Sequence, residues 1–212
     1  TYDANVNNGY PSFGTLGAPS DWGQIGLGVD AGLITGTNFK PTQTGDSEAD
    51  AYQISTPEAL AWFAYKVNTE NDTYKTKKAK LTQTINLAGT TYGGKEGGDF
   101  TGCLKWMPIN SFSGDFNGGG LAVENLFVNQ STGGAGFFSG LAGLDSNPVS
   151  VHDFGVASGS VTGLHSVGGI AGVLSRKQNK AAVTVERCWN NASVTGTDDT
   201  GGIAGRAGGR VI

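Results

Sequence analysis

The sequence predicts an all-β fold, a parallel β-solenoid with one amphipathic α-helix capping its N-terminal side. Three observations carry this reading. Glycine supplies 36 of 212 residues, but not at every third position and with only 6 prolines, so a collagen-like chain is excluded. The C-terminal half repeats itself. Ala135-Gly-Phe-Phe-Ser-Gly140, Val167-Gly-Gly-Ile-Ala-Gly172 and Thr200-Gly-Gly-Ile-Ala-Gly205 are offset by 32 and 33 residues, and Ser160-Val-Thr-Gly163 and Ser193-Val-Thr-Gly196 by 33. A third column joins Val123-Glu-Asn-Leu-Phe-Val128, Val151-His-Asp-Phe-Gly-Val156 and Val185-Glu-Arg-Cys-Trp-Asn190. Finally, a single stretch carries a strong helix signal, at residues 55–67.

Residues 1–50 are rich in Gly, Asn and Thr, and read as an extended segment lying on a surface or serving as a linker. Within it Ile25, Leu27 and Val29 alternate, which allows a short strand. Residues 51–80 read as the capping helix and a loop. Ser55-Thr56-Pro57-Glu58 offers a hydroxyl N-cap and a proline at the first helical position. Leu60, Phe63, Ala64 and Val67 then recur at spacings of three and four and form one apolar face. The basic run Lys75, Lys77, Lys78 and Lys80 reads as a solvated loop, because no aromatic residues interleave as a nucleic-acid surface would want.

Residues 81–212 read as solenoid coils. Leu81, Gln83, Ile85 and Leu87 alternate as in a strand. A period in the low thirties could also mean a helical repeat, but these repeats are full of Gly, Val, Ser and Thr and lack helical apolar periodicity. Each repeat therefore predicts one coil of about three short strands, with equivalent residues stacked about 4.8 Å apart and glycines at the corners. The helix covers the first rung, and the chain stops at Gly209-Arg-Val-Ile212 where a further coil would begin, so a C-terminal truncation is expected.

The net charge of −4 and 15% charged residues give no electrostatic reason to expect nucleic-acid binding. No stretch approaches the ~18–20 apolar residues of a membrane span, and the polar start shows no signal peptide. Cys103 and Cys188 are expected to be two separate buried thiols.

Gly-Gly-Ile-Ala-Gly, preceded by Ser-Val-Thr-Gly and by Val-Glu-Arg-Cys-Trp-Asn-Asn, resembles the GLUG-repeat proteins of bacteria. The order upstream is similar too: Tyr52-Gln-Ile-Ser-Thr-Pro-Glu-Ala-Leu, Leu81-Thr-Gln-Thr-Ile-Asn-Leu, Trp106-Met-Pro-Ile and Phe112-Ser-Gly-Asp-Phe-Asn-Gly. The resemblance covers about residues 51–212. It implies a right-handed parallel β-helix, extracellular or on a bacterial cell surface, as in adhesin-like proteins and the non-catalytic regions of some immunoglobulin A peptidases.

Chemistry is sparse. The peptidases carrying such repeats use His-Glu-x-x-His, whereas this chain has only His152 and His165, at no such spacing. Asp153 and Glu186 fall near equivalent positions one coil apart with Arg187 beside them, the raw material of a glycosidase or polysaccharide lyase; solvent-facing acids are the simpler reading. Asp198-Asp199 reads as a polar turn. Asp115-Phe-Asn117 and Asp145-Ser-Asn147 could contribute oxygens to calcium, but neither matches a full calcium loop, so no cofactor is expected. Thr162 and Thr195 stack in register, too few for an ice-binding face.

The candidate binding residues are Phe127, Trp189, Asn190 and Asn191. The third column places Phe127, Gly155 and Trp189 on one outward line, with two aromatics flanking a glycine notch as a sugar-stacking platform and the asparagines as hydrogen-bonding neighbours. The expectation is a non-catalytic, adhesin-like module for a host or microbial glycan or surface protein. The alternatives are a carbohydrate-active β-helix enzyme and a passive stalk.

Overall fold

The structure, a computed structural model, describes residues 19–95, 100, 102–144, 147–175, 180–208 and 210–211. It is a parallel β-solenoid of about four turns. The first element corrects the expected strand. Trp22–Asp30 is a helix, α1, with Asp21 as N-cap accepting from the Gln24 N–H. Trp22, Ile25 and Val29 lie on its buried face, while Leu27 is 44% exposed. The alternation at 25, 27 and 29 was thus a helical i, i+4 pair with a solvent-facing leucine between.

β1 (Tyr52–Ile54) precedes the capping helix α2 (Pro57–Thr69). Thr56 Oγ1 accepts from the Ala59 N–H, as an N-cap should. α2 is buried on more than one face because it lies between the first coil and α1. The two helices approach closely at Gly26, where a Cβ would stand 2.3 Å from the Ala61 carbonyl oxygen. Trp62 Nε1 donates to Asp30 at 3.0 Å, and Lys66 bridges Asp30 and Glu70. A one-turn helix, α3 (Asn71–Tyr74), follows. The basic run does not remain a loop: β2 (Lys78–Leu81) takes in Lys78 and Lys80, and Lys75 and Lys77 pair with Asp72 and Asp46.

β3 (Ile85–Asn86) continues the first coil. The next holds β4 (Asp115–Asn117), β5 (Ala122–Glu124), β6 (Leu126–Gln130) and β7 (Phe138–Ala142). It is followed by β8 (Val149–His152), β9 (Gly155–Val156), β10 (Gly159–Gly163), β11 (His165–Gly168) and β12 (Ala171–Ser175). The last complete coil is β13 (Val183–Glu186), β14 (Trp189–Asn190), β15 (Ser193–Thr195), β16 (Asp198–Gly201) and β17 (Ala204–Ala207), with β18 (Arg210–Val211) beyond it. A full coil therefore has five short strands rather than three, bent at many corners. Every strand pairing among the described residues is parallel, and the ladders form five faces in the orders β1-β2-β4-β8-β13-β18, β14-β9-β5-β3, β15-β10-β6, β11-β16 and β17-β12-β7.

The Ser160/Ser193 column matches the register, and so does the glycine-rich column from Val167 to Thr200, but its first member slips by one residue after Ala135, Phe138 pairing with Ala171 and Gly140 with Val173. Ser160 pairs with Ser193, Thr162 with Thr195, and Ala135, Val167 and Thr200 stack. The third column is displaced in its first member. Val151 and Val185 stack on Phe116, whereas Val123 stacks under Val156. Residues 123–128 instead keep the 33-residue spacing of the other columns and stack with residues 156–161, while the turn at Gly118–Gly120, two residues longer than its counterpart, widens the spacing to 35 residues at Phe116 and Val151.

Corners also differ from expectation. Asp153 and Arg187 are equivalent left-handed corners with φ of 51° and 50°, and Ser166 and Asp199 are two more with φ of 52° and 47°. Asp tolerates this region through its short polar side chain, but Arg adopts it against its intrinsic preference.

The interior is an aromatic stack that thins along the axis. Phe63 of the cap meets Phe112, which stacks on Phe138, and Phe116 contacts Phe137, Phe138 and Phe154 at 5.2–5.6 Å. All six phenylalanines are fully buried. The last complete coil contributes no phenylalanine, and its Val194, Ile203 and Ala204 are only partly buried.

Candidate functional site

Trp189 opens β14 and pairs with Gly155, which pairs with Ala122. Small residues beneath let the indole settle on the backbone: a Cβ at Gly155 would stand 2.2 Å from Trp189 Cε2 and 2.4 Å from Cζ2. The side chain is nevertheless 41% exposed. The result is a rigidly seated aromatic that keeps solvent-accessible surface, the arrangement that sugar stacking needs.

Its predicted companions divide. Phe127 is not on this line; it pairs with Ser160, and Ser160 with Ser193, on a neighbouring face. The two-aromatic platform is therefore absent, for the same reason that displaced the third column. Asn190 pairs with Val156, in the column that also holds Val123 and Ile85, and its amide lies against Gly169. Both of its polar atoms are used locally: Nδ2 donates to the Ala192 carbonyl and Oδ1 accepts from the Ala192 N–H, each at 3.1 Å. This satisfies a polar group in an otherwise apolar column. Asn191 is exposed, and its N–H donates to the Val156 carbonyl. Trp189 and Asn191 are thus the exposed pair of the four.

Beside Trp189 the corner between β8 and β9 and its copy one coil on carry a charge chain. His152 lies 3.4 Å from Asp115 through Nε2 and 2.7 Å from Asp153 through Nδ1. Arg187 grips Asp153 with Nε and Nη2 at 2.6 and 3.0 Å, and reaches Glu186 with Nη1 at 2.6 Å. The bidentate Arg187 bond, then the His152 bond, hold the Asp153 carboxyl well below the usual carboxylate range; the two acids in turn push Arg187 up. This pairing also accounts for an arginine in a left-handed corner. The acids considered for glycosidase chemistry are therefore both engaged by one guanidinium, and Asp153, its carboxyl held low, is a poor proton donor near neutral pH.

The chain has no family model, curated protein or solved structure that matches it.

The remaining candidates have structural surroundings. Asp198-Asp199 opens a strand rather than forming a turn, and Asp198 Oδ2 pairs with His165 Nδ1 at 2.8 Å on the exposed surface. Cys103 is buried, with Sγ against the Lys95 carbonyl. Cys188 is half-buried, and burial pushes its thiol up, away from the reactive thiolate. Among the described residues no group of three or more His, Cys, Asp or Glu side chains could hold a metal ion. Asp145 and Ser146 of the second calcium candidate lie outside the described residues. No described helix is long and apolar enough to cross a membrane.

Sequence reasoning missed the contribution of His152 and Asp115 to this corner. The available signal was their strand parity, since Asp115, Asn117 and His152 all alternate with the buried Phe116 and Val151.

Proposed function

We propose that the chain is a non-catalytic binding module of an extracellular or cell-surface bacterial protein, presenting a solenoid face to a host or microbial glycan or surface protein. The observation that carries this reading is Trp189, exposed on a polar coil yet seated against Gly155. Large aromatics are normally well buried, and an exposed one held in a fixed pose suits recognition. The resemblance of the coil motifs to GLUG-repeat proteins supports the setting. The engagement of Asp153 and Glu186 by Arg187 favours binding over hydrolysis.

Probing a glycan and extracellular-matrix array with the whole chain, with and without calcium, tests the proposal. Saturable binding that falls at least tenfold in Trp189→Ala, with the coil still folded, is expected. Release of reducing ends or unsaturated sugars from a polysaccharide panel would replace it with the carbohydrate-active enzyme reading. A folded sample that binds nothing leaves a stalk.

A further inference from the structure

A second surface, away from the Trp189 ladder, has the geometry of a site. The loop 107–110 and the turn 130–134 flank a groove of about 490 Å³ over β7 and β12, within the ~300–1,000 Å³ typical of small-molecule sites. Its lining includes Asn68, Asn110, Gln130, Thr132 and Ser139, with Met107 and several glycines, and among the described residues it contains no ionisable side chain.

The walls are fixed by hydrogen bonds that leave some polar groups over. Asn68 holds the loop from both ends of its amide, accepting from the Asn110 N–H at 2.8 Å and donating to the Pro108 carbonyl at 3.1 Å. Asn110 Oδ1 accepts from Ser139 Oγ at 3.2 Å, which orients the Asn110 amide and leaves its Nδ2 with no partner among the described residues. Among the described residues the side chains of Gln130 and Thr132 also have no hydrogen-bond partner. Met107, 40% exposed, adds an apolar wall.

We infer that this groove binds a short, uncharged, hydroxyl-rich saccharide, independently of Trp189. A primary amide offers donor and acceptor together, as a sugar hydroxyl does, so the groups left over at Asn110, Gln130 and Thr132 match a vicinal diol. A charged ligand would be desolvated with no counter-charge. An extended peptide would need an open strand edge, but β7 pairs with β12 on one side and bridges to Ile109 and Phe112 on the other. This inference rests on the reading of the chain as a glycan-binding module, and adds a second site to it.

The test uses the whole chain and neutral oligosaccharides, with sialylated and sulfated glycans alongside, in a Trp189→Ala background so that the groove is read alone. Gly140→Phe fills the groove: a Cβ there meets nothing nearer than 3.9 Å and needs no left-handed backbone. Gln130→Ala removes a ligand group without removing a hydrogen bond among the described residues. Neutral-glycan binding in Trp189→Ala that drops at least tenfold on adding Gly140→Phe, and three- to tenfold on adding Gln130→Ala, is the expected result. Loss of all glycan binding in Trp189→Ala alone overturns the groove site while leaving the Trp189 reading intact. Binding indifferent to Gly140→Phe and Gln130→Ala, or confined to charged glycans, also overturns it. A folded chain that binds no glycan at all removes both.

Discussion

Replacing Gly155 by alanine should dislodge the Trp189 indole and leave the coil standing. The new Cβ would sit 2.2 Å from Trp189 Cε2, against ~3.5–4.0 Å for carbons in contact, so the ring must retreat by about 1.3 Å or more. It has solvent to move into, being 41% exposed. Gly155 has no left-handed φ, so alanine suits the backbone, and its smaller unfolded-state entropy offsets about 0.4–1 kcal/mol of the lost ring contact. Net stability should change by less than ~1 kcal/mol. Iodide quenching reads the movement directly, because Trp22, Trp62 and Trp106 are only 1–3% exposed. The quenchable emission of the parent protein should correspond to one of its 4 tryptophans. It should become more accessible in Gly155→Ala and vanish in Trp189→Ala. Unchanged quenching in Gly155→Ala, or a quenchable component surviving in Trp189→Ala, would refute the seating of the ring.

Phe116→Ala removes a fully buried ring that touches three others, and should cost about 3–5 kcal/mol in denaturant titration; a loss under 1 kcal/mol would contradict the aromatic stack. Gly26→Ala places a Cβ 2.3 Å from a backbone oxygen that cannot swing away, so α1 must lift off α2 at a cost of ~1–3 kcal/mol; an unaltered melting temperature would disprove the close approach. The Asp153–Arg187 pair makes stability acid-sensitive. The folded-state pKa of Asp153 is depressed, so its contribution is present above the unfolded value of about 3.9 and is lost as pH falls below it. Both partners face solvent, which keeps the effect small and salt-screened. The urea midpoint of Asp153→Asn should fall less steeply than that of the parent between about pH 5 and about pH 2, the carboxylate range; parallel slopes would show that the pair contributes nothing.

The capping helix was legible because its signals are local: a Thr56 cap, a Pro57 start and an apolar stripe. The Ser160/Ser193 and Val167/Thr200 columns were legible because identical motifs recur at constant spacing. The third column failed at Val123 because its likeness to Val151 spans only 28 residues, whereas the coils repeat every 33–35, so that Val123 stacks with Val156 instead. That one slip moved Phe127 to another face and dissolved the paired platform. α1 was missed because Ile25, Leu27 and Val29 fit both periods; Asp21 as cap and Trp22 three residues before Ile25 were the tie-breakers. Asn190, expected as a hydrogen-bonding neighbour of Trp189, occupies an inward position instead, which its own hydrogen bonds to Ala192 allow. The groove was invisible in the sequence, since Asn68, Asn110 and Gln130 meet only through the winding of the coils.

The thinning of the aromatic core bears on how the protein would respond to being pulled. Coils such as the one carrying Ser160 and its successor carrying Ser193 are 33 residues apart, so each coil peeled away releases about 110 Å of chain at ~3.3–3.6 Å per residue. The valine- and alanine-lined coil should yield first, and the phenylalanine-filled coils under the two helices should hold until the tension is highest. A tether made of such coils would lengthen in regular steps against a rising force, the coils beneath the two helices unwinding last.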